Sequence, residues 1–239
     1  MLLDRIAKKI RVILETRGLA QAPFYRRYPY AGHVSHKMVD LRGMVGVDYG
    51  FFFNRIPKSA NSTVTLTLAI ACGIPNTKGD PDAKQAKKAF PRPSELTAAQ
   101  MEAFERCFKF TFVRDPYARV LSAYLDKVRT GVKMTPITFA EFCRYLAEGG
   151  LHANAHWAPQ SSLLLLPIER FDFIGRVENM NEDLSHVFAH LGLKPGEPRL
   201  AGPPATNARD LVEKEYTPEC RETVRRLYRS DFELFGYPG

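Results

Sequence analysis

Seven consecutive residues, Pro57-Lys58-Ser59-Ala60-Asn61-Ser62-Thr63, combine one cation, small side chains and two hydroxyls. Small residues at 59, 60 and 62 let main-chain amides come close to an anion. A helix starting there would aim its open amide groups and its dipole at the same point. Lys58 adds a point charge, and Ser62 and Thr63 add donors. A nucleoside-triphosphate loop places its lysine late, after two glycines. Here lysine comes early and no glycine is present, which argues against an ATPase or GTPase. An ordinary β–α turn remains the plain alternative. A second set is Arg114, with Ser122 eight residues on and Arg119 between them. An arginine fork plus a hydroxyl beside a helix N-terminus makes a phosphate clamp. The plain alternative is that Arg114 pairs with Asp115 or caps a neighbour.

The elements that must position these residues alternate in type. Phe51-Phe52-Phe53 is a short apolar run suited to a buried strand. Residues 63–72 alternate with β-branched threonines, a strand signature, yet Gly73-Ile74-Pro75 closes them like a helix end. A strand–loop–helix unit explains the loop, so a helix is expected. Capping-box spacing at Thr97–Gln100 and at Thr138–Glu141 starts two further helices, the first over about 98–106. Phe108–Val113 reads as a strand with phenylalanines 108, 110 and 112 on one buried face. Asp115 as N-cap and Pro116 at the first helical position open the next helix, with Arg119, Ser122 and Asp126 on its polar side. Phe171–Gly175 reads as a third strand. Helices follow over 182–191, closed by Gly192, and near 218–229 after Thr217-Pro218. Residues 20–49 show no clear period and read as an irregular arm. Residues 76–95, with Lys84, Lys87 and Lys88, read as an exposed, mobile insertion. The whole predicts a single α/β domain over 1–239. Its expected form is a P-loop-like three-layer fold, a central, mostly parallel sheet flanked by helices.

The chain has 239 residues and a formal net charge of +8, which favours anionic partners. Cys72, Cys107, Cys143 and Cys220 form no C-x-x-C pair, so zinc spacing is absent. Scattered cysteines point to reduced thiols and a cytoplasmic setting. The N-terminus shows neither a secretory pattern nor an apolar run long enough to span a bilayer. Leu2, Leu3, Ile6 and Ile10 among basic residues could give a helix that touches a membrane surface, although packing on its own domain is the simpler expectation.

Read together, K-S-A-N-S-T and, some fifty residues later, F-V-R-D-P-Y-A-R-V-L-S-A-Y resemble the sulfotransferase superfamily. The likeness is nearest to carbohydrate sulfotransferases of the chondroitin/dermatan type. Four more stretches carry it: Pro93–Thr97, His156-Trp157-Ala158-Pro159-Gln160, Phe171–Glu178, and Asp231–Tyr237. It spans residues 51–239. Two features depart from the Golgi members of that group: no N-terminal anchor is evident, and Leu163-Leu164-Leu165-Leu166 stands where they carry cysteines.

The resemblance implies 3′-phosphoadenosine 5′-phosphosulfate (PAPS) as donor, adenosine 3′,5′-bisphosphate as product, and no metal. It implies that Lys58, Ser59, Ala60, Asn61, Ser62 and Thr63 hold the 5′-phosphosulfate, with Arg55 helping. Arg114 and Ser122 would hold the 3′-phosphate, and Arg176 would approach the nucleotide or the acceptor. His156 is the expected base, since imidazole titrates near neutrality, with structural packing beside Trp157 as its alternative. His33, His36, His152 and Glu178 are further candidates. The implied acceptor is a carbohydrate hydroxyl, on an acidic sugar polymer if the charge is a guide, and not nucleic acid. Two other readings stay open: a nucleotide-dependent phosphotransferase, and a non-catalytic binder of acidic polymers through residues 76–92.

Overall fold

A computed structural model describes residues 16–74, 83–194 and 207–239. Four strands, β1 (Gly43–Gly46), β2 (Phe51–Asn54), β3 (Phe108–Val113) and β4 (Phe173–Arg176), form one sheet in that order. β1 runs antiparallel to β2, whereas β2, β3 and β4 are parallel. Among the helices around it are α1 (Pro23–Arg27), α2 (His36–Asp40), α3 (Asn61–Ala71), α4 (Ala83–Ala86), α5 (Ala98–Arg106), α6 (Pro116–Ala123), α7 (Phe139–Tyr145), α8 (Met180–Leu191), α9 (Ala208–Glu215), α10 (Pro218–Leu227) and α11 (Arg229–Phe235).

Phenylalanines decide how the sheet is covered. In the parallel pair, Phe51 stands against Phe108 and Phe53 against Phe110. The Phe53 and Phe110 rings stack at 4.9 Å. Each such pair adds about 0.5–1.5 kcal/mol beyond the burial of its area. This face packs on Val64 and Leu68 of α3 and on Leu184, Val187 and Phe188 of α8. Phe52 points the other way, onto Phe24 of α1 and Phe104 of α5. A third apolar cluster joins α6, α7, α9, α10 and α11 around Trp157. The expected layered arrangement with a mostly parallel central sheet is therefore present. Among the described residues no helix is long and apolar enough to cross a membrane.

The threonine-rich segment after the loop is a helix, as the strand–loop–helix reading required. The helix accommodates the strand-like threonines because their hydroxyls find partners one turn back. Thr67 donates to the Thr63 carbonyl one turn back (2.9 Å), and Thr65 donates to Asn61 Oδ1 (3.3 Å). The caps are also as expected. Thr97, Thr138 and Thr217 accept from the amides of Gln100, Glu141 and Cys220, and Asp115 accepts from Ala118 N at 2.8 Å.

Three expectations need correction. Residues 20–49 are not irregular: they hold α1, α2 and the edge strand β1. Four-residue strands and five-residue helices are too short to show a period. Their buried Phe24, Tyr25 and Tyr28 act through aromatic contacts instead. Of the expected insertion at 76–95, the part from 83 onward packs on the sheet edge. Phe90 is buried against Tyr49 and Phe51, and the Pro91 carbonyl accepts from Val45 N. Its earlier part, like the N-terminal helix expected near residues 2–13, lies outside the described residues. Finally, α6 has no exposed polar side. All eight of its residues are buried, Arg119 and Ser122 included.

Gly175 of β4 sits against the Phe112 ring, where an added Cβ would lie 2.6 Å from a ring carbon. Gly175→Ala is expected to lower the unfolding free energy by about 1–3 kcal/mol, the usual result of overpacking. Urea denaturation checks this; an unchanged midpoint would mean that the β3–β4 face tolerates an extra methyl.

Candidate active site

The three segments picked out by chemistry leave the carboxyl ends of adjacent parallel strands. Loop 55–60 follows β2, Arg114 follows β3, and Glu178 follows β4. Open α/β sheets place ligands at this edge.

The loop is strained in a specific way. Lys58 (φ 69°) and Ala60 (φ 53°) both adopt the left-handed conformation without being glycine. Such residues persist only where their surroundings over-determine them. Here the surroundings are three side chains. Arg119, with no exposed surface, donates to the carbonyls of Pro57 (3.0 Å), Ala158 (2.8 Å) and Ala155 (3.2 Å). Gln160, equally buried, accepts from Ser59 Oγ (2.9 Å) and from Arg114 N (3.0 Å), and donates to the Arg114 carbonyl (2.9 Å). The Arg114 guanidinium donates to the Lys58 carbonyl at 3.4 Å.

Ala60 is the N-cap of α3 and provides no side-chain cap. Alanine is among the poorest residues there, and the first-turn amides of an α-helix have no partner within the helix. The loop expected to hold an anion therefore ends at a helix N-terminus that no N-cap side chain closes. Ser59 and Asn61 are buried, whereas Ser62 Oγ accepts from Lys87 Nζ at 3.3 Å.

Lys58 donates to Asp126 at 2.9 Å, and Lys127 reaches the same carboxylate oxygen at 3.1 Å. Burial above all lowers the Lys58 pKa; Asp126 opposes this, and Lys127 and Arg114 add to the lowering. Burial pushes the Asp126 carboxyl up, but Lys58 and Lys127 overcome this and hold it below its ordinary value. One carboxylate thus faces several cations.

His156 is the histidine brought to this group. Burial first, then Arg42, Lys127 and Lys58, pushes its imidazole down to about 3. Its Nδ1 is buried without a hydrogen-bond partner. The other expected histidines have different neighbours. His36 packs between Tyr25 and Tyr30, and His33 lies against His152 at 5.0 Å. Glu178 has both oxygens engaged, accepting from Asp115 N (2.9 Å) and Tyr237 OH (2.9 Å), which places it beside Arg114.

Ser122 is buried on α6, about two turns beyond Arg114. Arg176 is engaged by the C-terminal segment. Its guanidinium donates to the Phe235 carbonyl and lies 4.6 Å over the Tyr237 ring, so it fixes the C-terminal segment. Arg55 turns toward the edge strand, donating to the Leu41 carbonyl. Sequence reading missed Gln160, Asp126 and Asp231. The last accepts from Gln160 N (2.7 Å) and Ser161 N (2.8 Å). The only available signal for them was their place within, or next to, the stretches that carry the family likeness. Among the described residues no group of three or more His, Cys, Asp or Glu is placed to hold a metal ion.

Comparison with known proteins bears on this arrangement. The profile of the sulfotransferase family matches residues 43–238. Carbohydrate sulfotransferase 14 of Mus musculus is 29% identical, over 93% of this chain and 67% of its own length. Its Homo sapiens counterpart is 27% identical with the same coverage. Carbohydrate sulfotransferase 10 of Pongo abelii is 25% identical over 77% of this chain and 64% of its own length. No solved structure gives a significant match. A family match that runs from the edge strand to the C-terminal segment covers the loop, Arg114, Gln160 and Glu178 alike, and the chain belongs to the sulfotransferase family.

Proposed function

We propose that the protein moves a sulfuryl group from PAPS to a hydroxyl of a carbohydrate. The observation that carries this reading is the uncapped N-terminus of α3 behind a strained loop, with Lys58 in the loop and Arg114 tied to it. Two linked cationic positions fit a donor with phosphate groups at both ends. The relatives named carbohydrate sulfotransferases supply the acceptor class.

The donor supplies an activated sulfuryl group whose leaving group is a phosphate. The residues around it position the partners and meet the charge that develops. The open amides of α3 and the Ser62 and Thr63 hydroxyls hold the 5′ end. Lys58 neutralises charge on the bridging oxygen as its bond to sulfur breaks. Arg114 and Ser122 hold the 3′-phosphate. As the acceptor oxygen bonds to sulfur, its proton passes to His156. Burial and the neighbouring cations hold that imidazole neutral, and negative charge brought by the bound donor would raise its basicity.

The direct test is transfer of labelled sulfate from PAPS across a panel of glycans, with ATP as control; transfer of phosphate, or of nothing, refutes the reading. Lys58→Ala is expected to lower kcat by about 10²-fold or more, the effect of removing one preorganised donor, with the fold intact by circular dichroism. Near-normal turnover would remove Lys58 from the donor site. Arg114→Ala should weaken adenosine 3′,5′-bisphosphate far more than adenosine 5′-phosphate in calorimetry; equal losses would take Arg114 out of the 3′ pocket.

His156 gives a pH test. Its folded pKa lies below the ordinary histidine value near 6.5, so the unfolded chain binds the extra proton between about 6.5 and 3. Stability from this group is therefore present above 6.5 and falls as pH drops toward 3. NMR of the ligand-free protein should show His156 still neutral at pH 5, and adenosine 3′,5′-bisphosphate should raise its pKa. A titration near 6.5 without ligand would contradict the cationic environment. His156→Gln should cost about 10²–10⁴-fold in kcat; unchanged turnover and pH profile would exclude it as base.

A further inference from the structure

Two carboxylates flank Arg114, yet among the described residues its guanidinium donates only to the Lys58 carbonyl, at 3.4 Å. Val113 stands opposite Arg176 in the β3–β4 pair, so Arg114 and Glu178 leave adjacent strand ends. Glu178 accepts from Asp115 N at 2.9 Å, and that amide belongs to the peptide that follows Arg114. The Glu178 carboxylate is therefore one hydrogen bond from the Arg114 main chain. Its other oxygen accepts from the Tyr237 hydroxyl, also at 2.9 Å. Asp115 is engaged too, accepting from Ala118 N at 2.8 Å as the N-cap of α6. Burial lowers the Arg114 pKa, and Glu178 and then Asp115 oppose this. A guanidinium and a carboxylate with free lone pairs form a two-point pair when they can reach each other. Here the lone pairs are directed to other donors.

Tyr237 is brought to Glu178 by the turn after α11. Gly236 takes the left-handed conformation (φ 64°), and Tyr237 N donates to the Phe232 carbonyl at 3.0 Å. The Arg176 guanidinium covers the Tyr237 ring at 4.6 Å and donates to the Phe235 carbonyl. The phenol is thus fixed on the side away from Glu178. Burial, and then the Glu178 charge, push its pKa up, so the hydroxyl keeps its proton and stays a donor.

We infer that Tyr237 is a positioning residue for the 3′-phosphate: its hydroxyl keeps the Glu178 carboxylate off the Arg114 guanidinium, which is left as a cation for the incoming dianion. Without that hydroxyl one Glu178 oxygen loses its donor and finds a replacement in Arg114. The pair so formed competes with the phosphate. The C-terminal segment then sets how well the site tells a bisphosphate from a monophosphate. This inference rests on the donor site of the proposed function.

The full-length protein and its Tyr237→Phe, Glu178→Gln and Tyr237→Phe/Glu178→Gln variants would be titrated by calorimetry with adenosine 3′,5′-bisphosphate and with adenosine 5′-phosphate. Tyr237→Phe keeps the ring under Arg176 and removes only the hydroxyl. It should weaken the bisphosphate about tenfold, as loss of one charge-assisted contact allows, and leave the monophosphate within about twofold. Glu178→Gln can still accept from Asp115 N but carries no charge, so it should bind the bisphosphate at least as tightly as wild type. The double variant should recover the affinity that Tyr237→Phe loses, because glutamine cannot neutralise Arg114. A role in stability alone predicts equal losses for both ligands, a lowered Tm and no recovery in the double variant; that result overturns the inference. A Tyr237→Phe variant that discriminates as wild type does overturns it as well. Weakened bisphosphate binding in Glu178→Gln decides against it even if Tyr237→Phe fails to fold, since the carboxylate would then support Arg114 rather than compete for it. Failure of the donor reading looks different: wild type itself would bind the two nucleotides alike and transfer no sulfate, and the inference would fall with it.

Discussion

The buried guanidinium of Arg119 is the constraint on which the active edge depends. It has no exposed surface and makes three hydrogen bonds, all to main-chain carbonyls. One carbonyl belongs to the loop after β2; the other two belong to the segment that carries His156 and Gln160. Neither segment has the regular ladder that holds a strand or helix. Removing the guanidinium would leave three carbonyls without their donors, each costing about 1–3 kcal/mol if no water replaced it. Asp231 offsets the buried charge from a distance while holding the amides of Gln160 and Ser161. The C-terminal helix α11 is thereby connected to the loop through Gln160.

Strain at Lys58 and Ala60 makes sense only against that support. A left-handed alanine at a helix N-cap is a poor choice locally. Its effect is to leave the first amides of α3 without a side-chain cap. Arg119 and Gln160 hold the backbone in this conformation by bonding to Pro57 and Ser59, immediately before the strained positions. The loop is thus shaped from outside, by residues distant in sequence, and its own composition supplies only small size and hydroxyls.

This explains what could be read from sequence and what could not. The parallel strands were legible because Phe51–Phe53 and Phe108–Val113 are buried throughout, and the helix starts because Thr97, Thr138, Asp115 and Thr217 cap in standard ways. The loop and Arg114 were legible because their chemistry is local. The edge strand β1 was not, since Gly-Met-Val-Gly carries no alternation and pairs only once β2 is in place. Arg119 read as part of a polar helix side, because sequence spacing cannot show that segment 155–158 covers it. Gln160 and Asp126 were missed for the same reason: a glutamine and an aspartate gain their roles only from partners 46 and 68 residues away.

The charge balance of the site connects the two sides of the proposed reaction. Asp126 is the carboxylate that Lys58 holds, and Lys127 shares it. His156 is neutral because burial and these cations oppose its protonation. An imidazole pushed so low accepts a proton readily only when negative charge arrives nearby. A bound phosphosulfate would bring that charge. It would raise the basicity of His156, whose proton Lys58 and Lys127 now oppose. On the proposed function, His156 would become a competent base once the donor is seated. In this scheme the excess of cations does more than bind anions: it makes proton transfer depend on their presence.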